Sequence, residues 1–214
     1  MFLNRGDIFV KRFIDFIFAL LSIILLSPIF IMVFFIVKVK LGSPVVFRQE
    51  RPGLNGVVFK LLKFRTMTSD MNSDGDLLPD EVRLTKTGIF LRKLSLDELP
   101  QLINVLKGDM SIIGPRPLLV SYFPYYTERE MLRHTVRPGI TGLAQISGRN
   151  GLRWDDRLEL DVKYVETRTL LLDLIIFYKT LAKVLKKEGV VDAPGTVMLN
   201  FDVERKIRLE KGET

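Results

Sequence analysis

The chain of 214 residues contains no cysteine and a single histidine, His134. The missing cysteine excludes disulfides and thiolate metal sites. A histidine-built metal centre has one candidate ligand, and a Ser-His-Asp triad would have to use that same side chain. Negative charge is also in short supply. Lysine and arginine number 32 against 25 aspartates and glutamates, a net charge of +7. That balance points to an anionic partner: nucleic acid, a phospholipid surface or a phosphorylated substrate. Internal repeats and low-complexity segments are absent. The length suits one domain with an appended membrane element, and 47% hydrophobic residues suffice for a core.

Charge is missing altogether from Phe16 to Val37, a run of 22 residues. The run is longer than a usual signal-peptide core, and Lys38-Val39-Lys40 follows it where a small-x-small cleavage site would stand. About 20 apolar residues can cross a bilayer. Ser27-Pro28 interrupts the run at its middle, and proline removes the amide donor that would meet the carbonyl of Ile24. The two halves, Phe16–Ser27 and Ile29–Val37, are each too short to cross alone. Lys11 and Arg12 precede the run and Lys38 and Lys40 follow it, so the positive-inside tendency gives no direction. A helix that enters, bends at Pro28 and returns keeps both basic flanks on one face. A proline-containing span is the other reading that the residues leave open.

Val45-Val46-Phe47 and Val57–Leu62 flank the turn residues Arg51-Pro52-Gly53-Leu54-Asn55-Gly56, which reads as a β-hairpin. It ends in Lys63-Phe64-Arg65-Thr66-Met67. Lys63 and Arg65 share a strand face by the period of two, as a solvated edge or as a phosphate cradle. Residues 68–88 form a polar loop. Asp70, Asn72, Asp74, Gly75 and Glu81 match a calcium-loop pattern, but a strand precedes them and Pro79 falls inside. The preferred reading is an exposed Asp/Asn/Gly turn.

Ser95–Pro117, SLDELPQLINVLKGDMSIIGPRP, carries the densest chemistry. Asp97 and Glu98 are adjacent carboxylates; Gly114-Pro115-Arg116-Pro117 closes the stretch with an arginine between two prolines. Neighbouring helical residues point about 100° apart, so the two carboxylates suit two jobs, such as a nucleophile and a metal ligand. On spacing alone, Ser95-Leu96-Asp97-Glu98 fits a capping box at the start of a helix running through Leu99, Leu102, Ile103 and Leu106.

Further on, Leu118–Arg133 reads as a loop and a short helix. Its aromatics, Tyr122, Phe123, Tyr125 and Tyr126, suit either core packing or a bilayer belt. His134 reads as a satisfied structural histidine. Val136–Gly142 and Gly148-Arg149-Asn150-Gly151 read as turn-rich connections. Trp154–Val165 is a charged helix. Leu170–Lys187 is a basic amphipathic one, spaced at Leu171, Leu174, Ile175, Tyr178, Leu181 and Leu185, either packed on the core or lying in a bilayer interface. The tail after Gly189 reads as polar and mobile.

Taken together these stretches resemble the bacterial sugar transferases, the minimal monotopic polyprenyl-phosphate phosphoglycosyl transferases. The resemblance rests on the apolar helix with Ser27-Pro28, then FRQERPG, KFRTM, LPDEVRLTKTG, LRKLSLDELPQLINVLKGDMSIIGPRPLL, RPGITGLAQISGRN and W-DDRLELDVKYV. They run in family order from Lys11 to about Gly189. Ser147 stands where asparagine is frequent, and Leu143 where some members carry tryptophan. The resemblance implies transfer of a sugar-1-phosphate, N-acetylated in expectation, from a UDP-sugar to undecaprenyl phosphate, with release of UMP. It implies Asp97 as nucleophile, Glu98 as ligand of Mg²⁺ (or Mn²⁺), and Lys63, Arg92 and Arg116 on phosphate oxygens, with Ser27-Pro28 as the re-entrant break. The implied place is the cytoplasmic face of the bacterial plasma membrane, with membrane lipid as a partner and no nucleic acid; self-association is left open. The expected fold is mostly α with a small β-hairpin: an arm and re-entrant helix over 1–40, a compact catalytic domain with interfacial amphipathic helices over 41–189, and a tail over 190–214. A basic membrane-surface scaffold without activity would explain the helix and the charge, but not the Asp97-Glu98 and Gly-Pro-Arg-Pro constellation.

Overall fold

The apolar run is helical on both sides of its proline and bent there. In the computed structural model, which describes residues 5–148, 152–186 and 199–211, α1 covers Arg5–Leu25 and α2 covers Ser27–Leu41. The two axes meet at 65°. Pro28 cannot donate to the carbonyl of Ile24, and the Ser27 hydroxyl donates to it instead at 2.8 Å. No single helix among the described residues is long and apolar enough to cross a membrane. The bent pair presents Phe9, Phe13, Leu21, Ile24, Leu25, Phe35 and Val39 outward.

The hairpin is present as read: β1 (Val46–Pro52) pairs antiparallel with β2 (Val58–Phe64). The polar segment after it folds into an exposed turn in which the Asn72 side chain accepts the amides of Asp74 and Asp76. Two short helices follow, α3 (Asp80–Arg83) and α4 (Lys86–Lys93). A 3₁₀ turn over Leu96–Glu98 leads to α5 (Gln101–Lys107). A strand that the sequence reading did not foresee, β3 (Ser111–Ile113), then runs through the core.

Beyond β3, the aromatic segment forms a 3₁₀ turn at Val120–Tyr125 and α6 (Glu128–Met131). The stretch read as a turn-rich connection contains β4 (Gly139–Thr141), parallel to β3. That pairing brings backbones very close: a Cβ on Gly139 would lie 2.1 Å from the amide nitrogen of Gly114, so only glycine fits. Helices α7 (Leu143–Ser147), α8 (Trp154–Thr167) and α9 (Leu170–Leu185) complete the domain. Arg149, Asn150 and Gly151 lie outside the described residues. Where the sequence suggests a mobile tail, Phe201–Glu210 form α10. Phe201 is fully buried against Tyr122 and Trp154, so the tyrosine-rich segment contributes to packing.

The main core joins Ala19 of α1 to Leu61, Val105, Met110, Ile113, Tyr164 and Ile176. The membrane-like helix is therefore one packing unit with the domain. Its basic flank is engaged internally: Lys11 pairs with Asp173 at 2.6 Å, and Arg12 donates to the carbonyls of Val105 and Leu106. Asp15, buried, accepts from the Ser111 hydroxyl and the Ile112 amide. Helix α9 turns Ile176 inward and leaves Leu171, Leu174, Tyr178 and Leu181 exposed. The leucine spacing read from sequence is thus mostly an outward face.

Candidate functional site

The carboxylate pair does not begin a helix by capping it. Ser95 sits in the left-handed region at φ 55° and makes no side-chain cap hydrogen bond. Helix α5 starts only after Pro100. Among the described residues a capping box does form elsewhere, between Thr127 and Glu130. A left-handed conformation costs a non-glycine residue roughly 1–2 kcal/mol, and such strain persists where surrounding structure enforces it. Its effect is to turn the chain sharply out of α4 and to aim Asp97 inward, where it is 6% exposed.

Three elements converge on the pair. The end of β2 supplies Lys63, whose ammonium donates to Glu98 Oε1 at 2.7 Å and lies 3.9 Å from Asp97 Oδ2. The Pro115–Pro117 turn supplies Arg116, donating to the same Oε1 at 2.6 Å. Helix α4 supplies Arg92, whose Nε donates to the buried Thr66 hydroxyl at 3.1 Å and whose charge reaches Asp97. The five residues singled out by sequence therefore do meet. Arg65, on the same strand face, turns instead to the carbonyls of Ser43 and Met67.

Electrostatics separate the two carboxylates. Burial raises the Asp97 pKa, opposed mainly by Lys63 and reinforced by Glu98. Burial would raise Glu98 as well, but the charges and hydrogen bonds of Arg116 and Lys63 outweigh it and hold Glu98 well below the usual range. One carboxylate is thus committed to two cations, and the other is left poised beside them. Paired groups whose environments push their pKa values apart are a common arrangement at reacting centres.

Support comes from residues the sequence reading did not single out. Asn104 on α5 accepts the Leu62 amide and donates to the Lys60 carbonyl, fixing α5 to β2. Arg133 donates to the Arg116 carbonyl at 2.6 Å and pairs with Asp161 at 2.8 Å; these two side chains are 1% and 2% exposed. The signal for Asp161 was present: it lies on the face of α8 defined by Trp154, Leu158, Val162 and Val165. A carboxylate on an apolar stripe calls for a buried partner. His134 is buried with Nε2 unpartnered, and not satisfied as the sequence suggested. Burial and the neighbouring Arg133 push its pKa down to about 3, so it remains a neutral imidazole at physiological pH.

As to metal, no group of three or more His, Cys, Asp or Glu side chains placed to hold an ion occurs among the described residues. A hard cation bridging a diphosphate needs only one or two protein carboxylates, the phosphates supplying the rest. Glu98 Oε2, which takes no hydrogen bond from a described residue, suits that limited role.

A buried carboxylate ringed by lysine and arginines can meet phosphate oxygens and offer an oxygen nucleophile. Comparison with known proteins supplies the family. The family described as bacterial sugar transferase matches residues 6–187. A protein of Bacillus subtilis (strain 168) named "Uncharacterized sugar transferase EpsL" is 55% identical over 181 residues, covering 85% of this chain and 90% of the relative. The "Exopolysaccharide production protein ExoY" of Sinorhizobium fredii is 41% identical over 198 residues, covering 84% and 87%. The "UDP-glucose:undecaprenyl-phosphate glucose-1-phosphate transferase" of Klebsiella pneumoniae is 44% identical over 191 residues, 85% of this chain but 41% of that longer protein. The chain belongs to the bacterial sugar transferase family and is an enzyme of the transferase class.

Proposed function

We propose that the protein transfers a sugar-1-phosphate from a UDP-sugar to undecaprenyl phosphate, releasing UMP, through a phosphosugar carried on Asp97. The observation that carries this reading is the division of labour just described: Glu98 bound by Lys63 and Arg116, and Asp97 buried 3.9 Å from the same ammonium. The name of the Klebsiella relative supplies the lipid acceptor and the uridine nucleotide. Phosphoryl transfer depends on positioning and charge neutralisation more than on acid–base chemistry, which suits a site without histidine.

In this reading Asp97 attacks the phosphorus that bears the sugar, and splitting one displacement into two lets UMP leave before the lipid arrives. Lys63, Arg92 and Arg116 orient phosphate oxygens and stabilise their charge. Glu98 would hold Mg²⁺ or Mn²⁺, which when bound neutralises the diphosphate. The direct test is UMP release from purified protein given undecaprenyl phosphate and a panel of UDP-sugars, N-acetylated and not. Turnover is expected with at least one donor and is expected to stop in excess EDTA. No release across the panel would remove the proposal; full turnover in EDTA would remove the metal from it.

The same reading places the site at the cytoplasmic membrane face, with α1 and α2 forming a re-entrant pair. Support comes from the 65° bend and the exposed apolar surface on both arms. Single cysteines at positions 4 and 43 should both react with an impermeant thiol reagent from the cytoplasmic side only. Labelling of position 4 from the opposite side would show a crossing helix. Replacing Ser27 and Pro28 by leucine should shift the labelling toward that crossing form, since the donor missing at Pro28 would be restored.

A further inference from the structure

Beside the carboxylate pair lies a second gathering of cations that the proposed roles do not use. Arg51, on β1, reaches the loop that holds Arg116: its Nη1 faces the Pro117 carbonyl at 3.4 Å, a long contact, and its Nη2 donates to the neutral Gln49 side chain at 2.6 Å. Its Nε is buried without any partner. No carboxylate stands at ion-pair distance from it among the described residues. Arg157, on α8, stacks its guanidinium 4.5 Å over the Trp154 ring and shares two charged or polar neighbours with Arg51: both feel Arg116 and both act on Tyr122. The neighbouring arginines are matched: Arg116 has Glu98 and Arg133 has Asp161.

The electrostatics agree with that geometry. Burial, then the charge of Arg116, lower the Arg51 pKa to about 10. Burial also lowers Arg157; the charge of Asp161 opposes this, and those of Arg116 and Arg133 add to it. Cations held against one another in a half-buried setting signal a place where an anion belongs.

We propose that Arg51, assisted by Arg157 across Tyr122, binds the phosphate of the departing nucleotide, a nucleoside 5′-monophosphate, next to Arg116. This rests on the function proposed above. As Asp97 forms its bond to the sugar-bearing phosphorus, the bond from that phosphorus to the bridging oxygen breaks. The electron pair stays on that oxygen, and the nucleotide leaves as a phosphate monoester dianion. The group gaining charge in this step is one phosphate away from the one held at Asp97. Arginine suits it, because its planar fork can meet two phosphate oxygens at once. The acceptor lipid also carries a phosphate monoester, but the position of Arg51 favours the nucleotide. Strand β1 begins beside Val45, which packs on α2, and the five-residue step from Val46 to Arg51 carries the side chain roughly 17 Å along the strand from there.

Calorimetric titration of UMP into the full-length Asp97→Asn protein, expected not to turn over, reads nucleotide binding apart from catalysis, and the Arg51 share of it is read by difference. Adding Arg51→Ala should weaken UMP binding at least tenfold; Arg51→Lys should recover part of the loss, and Arg157→Gln should lose a smaller share. A short-chain isoprenyl phosphate should bind equally well with and without Arg51. Unchanged UMP affinity in Arg51→Ala would overturn the assignment. So would loss of isoprenyl phosphate binding with UMP affinity kept, which would give the cations to the lipid instead. The parent reaction is judged separately by UMP release from the wild type. Release by the wild type with no effect of Arg51 on UMP binding would remove only this inference.

Discussion

Asp97→Asn is expected to abolish turnover and, in the same protein, to raise thermal stability. The first effect follows from chemistry. An amide is a poor nucleophile at phosphorus, and loss of a nucleophile costs on the order of 10³-fold or more in rate. Wild-type protein incubated with UDP-sugar alone should gain the mass of one sugar-phosphate, and the variant should gain none. The second effect follows from burial. Because the folded-state pKa of Asp97 is raised, its contribution to stability is fully present below the unfolded value and is lost as pH rises through the folded one. At neutral pH the ionised carboxylate is a liability that asparagine removes. Each kcal/mol so recovered should raise the melting temperature by about 2–4 °C for a chain of this size. Adduct formation in the wild type should fall on the acid side as Asp97 takes its proton. Glu98 behaves oppositely: its depressed pKa supplies stability above its unfolded value, lost only as pH falls through the folded one. Were Asp97 merely structural, its replacement would leave turnover largely intact. Intersecting double-reciprocal lines, with no adduct on the wild type, would instead mean direct transfer in a ternary complex.

These opposing signs were not legible from the residues, although the residues themselves were. Asp97, Glu98 and Arg116 stand out as adjacent carboxylates and an arginine between prolines, Lys63 as a cation on a strand face, and Arg92 only through the family resemblance. Their convergence depends on long-range pairing that no spacing encodes: Lys63 arrives from a hairpin and Arg116 from a loop held on β4. The capping reading failed for a local reason. Ser95 fits the pattern of a cap, but its backbone is left-handed, its side chain makes no cap hydrogen bond, and α5 begins only after Pro100. The parallel pair β3 and β4 escaped notice because each strand has only three residues, and glycines within and beside them read as turns. The bend at Pro28 was readable because a missing amide donor acts wherever it occurs. The outward face of α9 was not, since helical spacing shows that a stripe exists but not which medium it meets. Phe201 lies outside every motif, and only its seat against Tyr122 and Trp154 reveals it.

Breaking the Arg133–Asp161 pair should produce the largest loss of stability of any single replacement in the domain. Both side chains are almost completely buried. Removing one partner leaves an uncompensated charge in the interior, which costs about 3–5 kcal/mol. Asp161→Leu should be the worse of the two single changes, because it strands a guanidinium that also faces Arg157. Arg133→Met strands a carboxylate whose pKa burial already raises, and that group can take a proton and become neutral. The double variant, with apolar side chains of similar volume, should be more stable than either single one, since no buried charge is left. Denaturant midpoints across this cycle measure the coupling, and strictly additive losses would contradict a paired interior. Turnover should not follow stability. Arg133 also donates to the Arg116 carbonyl, and the double variant lacks that donor even though its core is restored. Arg116 would then hold Glu98 less firmly, so the refolded double variant should show reduced kcat with near-normal unfolding behaviour. Recovery of full kcat in that protein would mean that the Pro115–Pro117 turn holds Arg116 in place without help from Arg133.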